Sequence, residues 1–246
     1  MGLSVTVLGS AAMYASVERA ASGYLLEIDG TAVWMDAGGG TWRNLLRCTD
    51  HRSLAGILLS HRHPDHTIDL FQAFHARRYG DVEPLRSIPV WAPPETLDHL
   101  EGFTRDLDTA FDLIPVNDTS VIELEGARVT FAAMAHPAVT VGIRVETDAG
   151  VLAYSADTGP GGEFRRLAAQ ADVFICEATF QDSDEEWEGH MRASQAAIAA
   201  SEVDARKLVL THLPHGRDLE ISAKEARAAG DVEVSLAEDL QRIEVG

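Results

Sequence analysis

One short segment restricts this chain more than any other: Ser60-His61-Arg62-His63-Pro64-Asp65-His66, which follows the apolar run Ala55 to Leu59. Three imidazoles and a carboxylate packed this closely gain little from burial, and the rings repel one another on protonation. A bound metal ion compensates them directly. On an extended backbone His61 and His63 project to one side. Pro64 and Asp65 suit the first turn of a helix, where proline loses no needed donor and a carboxylate meets the positive helix end. That turn lets Asp65 and His66 point back at a neighbouring point, so one strand-to-helix segment can serve two metals.

Short apolar or β-branched runs recur along the chain: Leu3 to Leu8, Tyr24 to Ile28, Thr31 to Asp36, Ala55 to Ser60, Val129 to Met134, Val141 to Glu146, Val151 to Ser155, Val173 to Cys176 and Lys207 to Thr211. These read as strands, with hairpin turns at Asp29-Gly30 and Asp148-Ala149-Gly150. Helices are expected from near Pro64, with Ile68, Phe71 and Phe74 on one side, and from about Ser194 through Ala200. The alternation predicts a layered α/β fold with two sheets packed between helices. Gly80 to Glu125, broken by Pro84, Pro89, Pro93, Pro94 and Pro115, reads as a lid or peripheral excursion. Without a repeat or a clear linker, residues 1–246 are taken as one domain, long enough to bury a sizeable core.

Further candidate ligands stand at the ends of later predicted strands: His136, Asp157 and His212. Carboxyl ends of strands are where loops converge on a site in such folds. Asp36 ends another run, and Gly38, Gly39 and Gly40 after it either let backbone approach a ligand or form an ordinary turn. Thr211-His212-Leu213-Pro214-His215 offers two histidines for one place, and His212 is preferred because it directly follows the strand. His51, His75 and His99 read as surface or capping residues. The acidic run Asp182 to Glu188 reads as a solvated loop, with a flap near His190 as the alternative.

Taken in this order, the residues resemble the metallo-β-lactamase-fold hydrolases, whose His-x-His-x-Asp-His signature appears as His61-Arg62-His63-Pro64-Asp65-His66. The resemblance implies a four-layered αββα sandwich holding two divalent metal ions. Zinc suits such ligands, and manganese or iron are also compatible. It implies His61, His63 and His136 on one metal, Asp65, His66 and His212 on the other, Asp157 bridging them, and Asp36 supporting from behind. Cys176-Glu177-Ala178-Thr179-Phe180, followed by His190, resembles elements of the tRNA 3′-processing nuclease branch, ribonuclease Z, and its phosphodiesterase relatives. There a glutamate and a histidine beside the metals handle protons, which implies Asp65, Glu177 and His190 as catalytic side chains. The match departs at Met191-Arg192, where the nuclease has Ser-Thr. Asp65 and Asp157 also stand where the lactam-cleaving branch often uses other ligands, including cysteine.

Charge and length then bear on substrate. Asp and Glu number 39 against 20 Lys and Arg, a formal charge of −19, which disfavours a broad basic face for long nucleic acid. The nuclease carries its tRNA-binding arm between the ligands matching His136 and Asp157; here that interval is 21 positions, filled by a predicted hairpin. The expected reaction is hydrolysis of a small phosphodiester, such as a cyclic nucleotide, by metal-activated water; two metals, two carboxylates and a bridging hydroxide leave a formal charge of about +1 to meet it. Ribonuclease Z-type RNA processing, or hydrolysis of a thioester or lactone, are the alternatives. Two distant cysteines, Cys48 and Cys176, no signal-peptide pattern and no long apolar stretch predict a cytoplasmic protein without a membrane partner. A homodimer stays open. The opening Met1 to Thr6 also fits a loose N-myristoylation pattern, against which Leu3, Val5 and Val7 alternate as in a strand.

Overall fold

The structure is a computed structural model that describes residues 2–80, 85–185 and 187–246. The chain runs through β1 (Leu3–Gly9), β2 (Gly23–Ile28), β3 (Thr31–Ala37), α1 (Thr41–Cys48), β4 (Leu54–Leu58), α2 (Pro64–Thr67), α3 (Leu70–Tyr79), β5 (Ile88–Ala92), α4 (Pro94–Phe103), β6 (Phe111–Pro115) and β7 (Val121–Leu124). It continues through β8 (Ala127–Ala133), β9 (Val141–Thr147), β10 (Gly150–Tyr154), α5 (Phe164–Ala168), β11 (Val173–Glu177), α6 (Ala193–Glu202), β12 (Lys207–Thr211), α7 (Leu219–Ala229), β13 (Glu233–Leu236) and β14 (Arg242–Val245).

These strands form two sheets, ordered β14-β1-β2-β3-β4-β5-β6 and β13-β12-β11-β10-β9-β8-β7. In the first, pairing is antiparallel from β14 to β3 and parallel from β3 to β6. In the second it is antiparallel from β7 to β10 and parallel from β10 to β13. The two sheets thus share one plan, although no repeat is visible in the sequence, and β3 and β10 occupy the matching place where pairing changes sense.

Period-two alternation sorts the side chains between layers. Tyr24, Leu26 and Ile28 of β2 face Phe131, Ile143, Val145 and Tyr154 between the sheets, whereas Leu25 joins Trp34, Trp42, Leu45, Leu70, Phe74 and Leu100 beneath the first helix layer. Phe174, Leu208 and Leu210 meet Ala196, Ala197 and Ala226 beneath the second. The run of alanines on α6 lets it lie close to α7 and the sheet. The result is the expected four-layered αββα sandwich.

Two expectations are corrected. The described residues between Gly80 and Glu125 do not form a lid: β5 and β6 complete the parallel half of the first sheet, β7 edges the second, and α4 buries its own Leu97 and Leu100. Pro84 lies outside the described residues. Pro89 sits at the start of β5, ahead of the residues paired to β4, and Pro115 ends the edge strand β6, where a missing N–H breaks no ladder. The helix expected from Pro64 is two helices, α2 and α3. Its buried face is Leu70, Ala73 and Phe74, while Ile68 at the joint is 40% exposed. Among the described residues no helix is long and apolar enough to cross a membrane.

Candidate active site

The His61–His66 segment follows β4, and Pro64 opens α2 at its first turn. His63 anchors that turn, its carbonyl accepting from the His66 amide at 3.0 Å and the Thr67 hydroxyl at 3.0 Å. His136 follows β8, Asp157 follows β10, Glu177 ends β11 and His212 follows β12. Left-handed residues stand at the exits of β10 and β12, Ala156 (φ 54°) and His212 (φ 51°), and at the end of β3, Asp36 (φ 54°). Each costs about 1–2 kcal/mol, which the surrounding hydrogen bonds must offset.

The structure brings the seven expected donors into two adjoining sets: His61, His63, His136 and Asp157, and Asp65, His66, Asp157 and His212, with candidate ligand atoms within 4.8 Å of one another in each. Asp157 belongs to both, its Oδ2 3.6 Å from His61 Nε2 and its Oδ1 3.1 Å from His66 Nε2. His63 Nδ1 lies 3.1 Å from His61 Nε2 and 3.2 Å from His136 Nε2. A tetrahedral ion with metal–nitrogen bonds of about 2.0–2.1 Å holds neighbouring donors about 3.3 Å apart, so these spacings fit one ion. In the second set His212 Nε2 lies 3.3 Å from Asp65 Oδ2 and 3.5 Å from Asp157 Oδ1. His66 Nε2 and Asp157 Oδ1 are buried with no hydrogen-bond partner, the mark of atoms that need a further binding group.

Hydrogen bonds behind the rings settle which nitrogen is free. His66 Nδ1 donates to Asp36 Oδ2 at 2.6 Å, and His136 Nδ1 donates to the Gly189 carbonyl at 2.8 Å. The Ser60 hydroxyl donates to Asp36 Oδ2 at 2.8 Å and so accepts from His61 Nδ1 at 3.0 Å. Likewise the Thr179 hydroxyl donates to Glu177 Oε2 and accepts from His212 Nδ1, both at 2.9 Å. Each of these four rings therefore carries a proton on Nδ1 and turns Nε2 to the centre, the arrangement that orients metal-ligating histidines. His190 Nδ1 donates to Glu177 Oε1 at 2.7 Å.

Two buried carboxylates thus do the same job on either side of the site. Asp36 holds His66 directly and His61 through Ser60; Glu177 holds His190 directly and His212 through Thr179. Asp36 also accepts from the Ser60 amide at 2.8 Å and Tyr154 Oη at 2.9 Å. Burial, with Asp36 adding to it, pushes the Tyr154 phenol well above its ordinary range, so it stays a donor. Glu177 accepts in addition from the amides of Thr158 at 2.7 Å and Met191 at 3.2 Å, which occupy its lone pairs.

The two sets differ electrostatically. Burial holds His61 well below the ordinary imidazole value, and burial likewise lowers His63 and His136. Burial also opposes the charged form of His66 and His212, but Asp157 and the neighbouring carboxylates override it and raise both. Asp157 is held well below the usual carboxylate range: burial works against this, and His212 and His66 outweigh it.

The remaining expectations divide. His215 donates to the Tyr14 carbonyl at 2.7 Å and stacks on that ring, apart from both sets. Gly38 does allow a close approach, but to protein: a Cβ there would lie 2.0 Å from the Asp65 carbonyl oxygen. The acidic run is not simply solvated. Asp182 accepts from Ser194 Oγ, and Asp184 accepts from the Gln181 amide and pairs with Arg217. Glu186 lies outside the described residues. Sequence reasoning assigned nothing to Ser60, Tyr154, Thr179 or Trp187. The one available signal was Trp187, a large aromatic side chain set among acids.

A sandwich of this plan with two adjoining His/Asp sets at its strand ends defines a metallo-hydrolase. Residues 31–213 match the beta-lactamase superfamily domain, and the chain belongs to that superfamily. It is 32% identical over 241 residues to an uncharacterized protein of Mycobacterium tuberculosis, covering 94% of this chain and 88% of that one. It is 30% identical over 299 aligned positions to a ribonuclease Z of Kineococcus radiotolerans, covering 98% and 95%. That alignment is longer than the 246 residues here, so this ribonuclease carries segments with no counterpart in the chain. The crystal structure of the metallo-beta-lactamase fold protein YhfI from Bacillus subtilis superimposes with a TM-score of 0.90 at 26% identity, covering 99% of each chain.

Proposed function

We propose that the chain is a dinuclear-metal phosphodiesterase acting on a small phosphodiester such as a cyclic nucleotide, with residues 1–246 working as one catalytic domain. The observation that carries this reading is the pair of donor sets hinged on Asp157, with Glu177 and His190 alongside. His61, His63 and His136 would hold one ion, Asp65, His66 and His212 the other, and Asp157 would give an oxygen to each; zinc fits this nitrogen and oxygen set. Such a pair, when bound, supplies Lewis-acid polarisation of the phosphoryl oxygens and lowers the pKa of water. Asp65 and Asp157 would balance that charge, leaving room for one phosphodiester anion. His190, held by Glu177 through Nδ1, would present Nε2–H to the departing oxygen and donate the proton it needs, while the Glu177 carboxylate stabilises the charged ring. His61, His66 and His212 are buried, and out of bulk water the charges around them act more strongly.

Three observations support a small substrate: the charge of −19, the short β9–β10 hairpin that fills the interval from His136 to Asp157, and the extra segments of the ribonuclease relative. A second reading, RNA processing of the ribonuclease Z type, draws on the 30% identity to the Kineococcus enzyme. A panel of cyclic AMP, bis-p-nitrophenyl phosphate, a lactone, a glutathione thioester and a 3′-extended tRNA, run before and after chelation, separates the readings. Phosphodiester cleavage that chelation abolishes and divalent metal restores is the expected result. Cleavage of the carboxylic substrates alone overturns the proposal, and cleavage of the tRNA alone transfers it to the second reading.

A further inference from the structure

Beside the two donor sets lies a cavity of about 590 Å³, whose walls include His136, Pro137, Pro160, Gly161, Trp187 and Glu188. Its size suits a nucleoside-sized group. The Trp187 indole closes one side, its centroid 5.0 Å from the His190 ring and 6.2 Å from the His136 ring. Trp187 is 47% exposed, whereas Trp34, Trp42 and Trp91 are at most 9% exposed. An open indole costs free energy in water unless something covers it.

The backbone is shaped to hold the indole there. A Cβ on Gly189 would lie 2.3 Å from Trp187 Cζ3, so only glycine lets the ring fold back over the chain. A Cβ on Gly159 would lie 1.7 Å from the Glu188 carbonyl oxygen, so the segment sits directly on the loop after β10. The Gly189 carbonyl is tied to His136 Nδ1, which fastens the same segment to the site. The base of this loop is pinned by Arg192 Nη2 donating to the Asp184 carbonyl at 2.9 Å.

We infer that this cavity is the subsite for the leaving-group side of the substrate, and that Trp187 sets specificity by stacking on a flat uncharged ring there, as a nucleobase would provide. The inference rests on the phosphodiesterase reading for the direction of cleavage. His136, one of the donors, lines the cavity itself, and the His190 ring lies 5.3 Å from His136 and 5.0 Å from Trp187, so a group attached to the oxygen His190 protonates has the cavity and the Trp187 indole beside it. Among the described residues the walls contain no Lys or Arg, and Glu188 repels a second phosphate, so the subsite favours a base and sugar over a continuing polyanionic strand.

The test is binding of AMP to the zinc-loaded protein by calorimetry and by acrylamide quenching of tryptophan fluorescence, with ribose 5-phosphate as a ligand lacking the ring. AMP should shield the one open tryptophan. Trp187→Ala should weaken AMP about tenfold, Trp187→Phe should lose less than half of that on a logarithmic scale, and ribose 5-phosphate should bind all three alike. Equal AMP affinity for wild type and Trp187→Ala, or equal loss of both ligands, overturns the inference. The outcomes separate from those of the activity panel. AMP binding that depends on Trp187 in a protein inactive on phosphodiesters sinks only the function, whereas cyclic AMP turnover with an unchanged KM in Trp187→Ala sinks only the subsite.

Discussion

Thr179→Val removes one hydroxyl, keeps the side-chain shape, and breaks the link between Glu177 and His212. Two contacts of 2.9 Å disappear, leaving His212 Nδ1–H without an acceptor in a fully buried position and Glu177 Oε2 without one donor. An unsatisfied buried donor costs about 1–3 kcal/mol. At about 1.4 kcal/mol per tenfold, that is a loss of roughly 5- to 140-fold in affinity for whatever His212 Nε2 binds, a span that contains the roughly 10- to 100-fold known for partners behind metal-ligating histidines. The loss should be confined to one ion, because His61, His63 and His136 do not depend on Thr179. Competition with a chelator of known affinity, read by elemental analysis, should therefore show one ion released early and the other unchanged. Melting temperature should fall by about 2–4 °C per kcal/mol for a chain of this size. Thr179→Ser restores the hydroxyl and should restore the weaker ion. Retention of both ions by Thr179→Val with wild-type affinity would refute the hydrogen-bond argument, and loss of both together would point to general unfolding.

His190→Ala should lower turnover by about 10²- to 10⁴-fold while both ions stay bound, and loss of the ions with the activity would make it a ligand instead. Acidification should empty the sites in order. His66 and His212, raised above their ordinary value of 6.5, must shed protons to bind metal, so proton competition begins there on the alkaline side of 6.5. The imidazoles of His61, His63 and His136 are lowered and resist until the pH falls below 6.5; simultaneous release of both ions in a pH titration contradicts this. A thiol reagent near pH 8 should modify Cys48, which is exposed, and spare Cys176, whose thiol burial pushes far up. Two reactive thiols in the native protein would show that the core beneath α6 opens readily.

Much of the site can be read in the chain because its chemistry is local. His61, His63, Asp65 and His66 sit within six consecutive residues, and ligand chemistry limits the residue types that can serve. His136, Asp157 and His212 are legible because each directly follows an apolar run. The prolines around β5 and β6 conceal strands because proline is tolerated at a strand start and on an edge, positions that only pairing partners define. Ile68 looks apolar and periodic, yet α2 ends before it, so the joint turns it outward.

Ser60 and Thr179 are common residues whose meaning depends on the rings they meet, and Thr179 meets His212 across 33 positions of chain. Tyr154 reaches Asp36 across 118. The sequence by itself determined which atoms could bind metal, through the types and order of its histidines and aspartates. Tertiary structure alone decided which nitrogen of each ring faces the centre, which carboxylates orient them, and that Trp187 walls a cavity beside them. Donor chemistry is a property of a residue, whereas proton placement and enclosure require a partner within about 3 Å, and only folding brings distant segments that close.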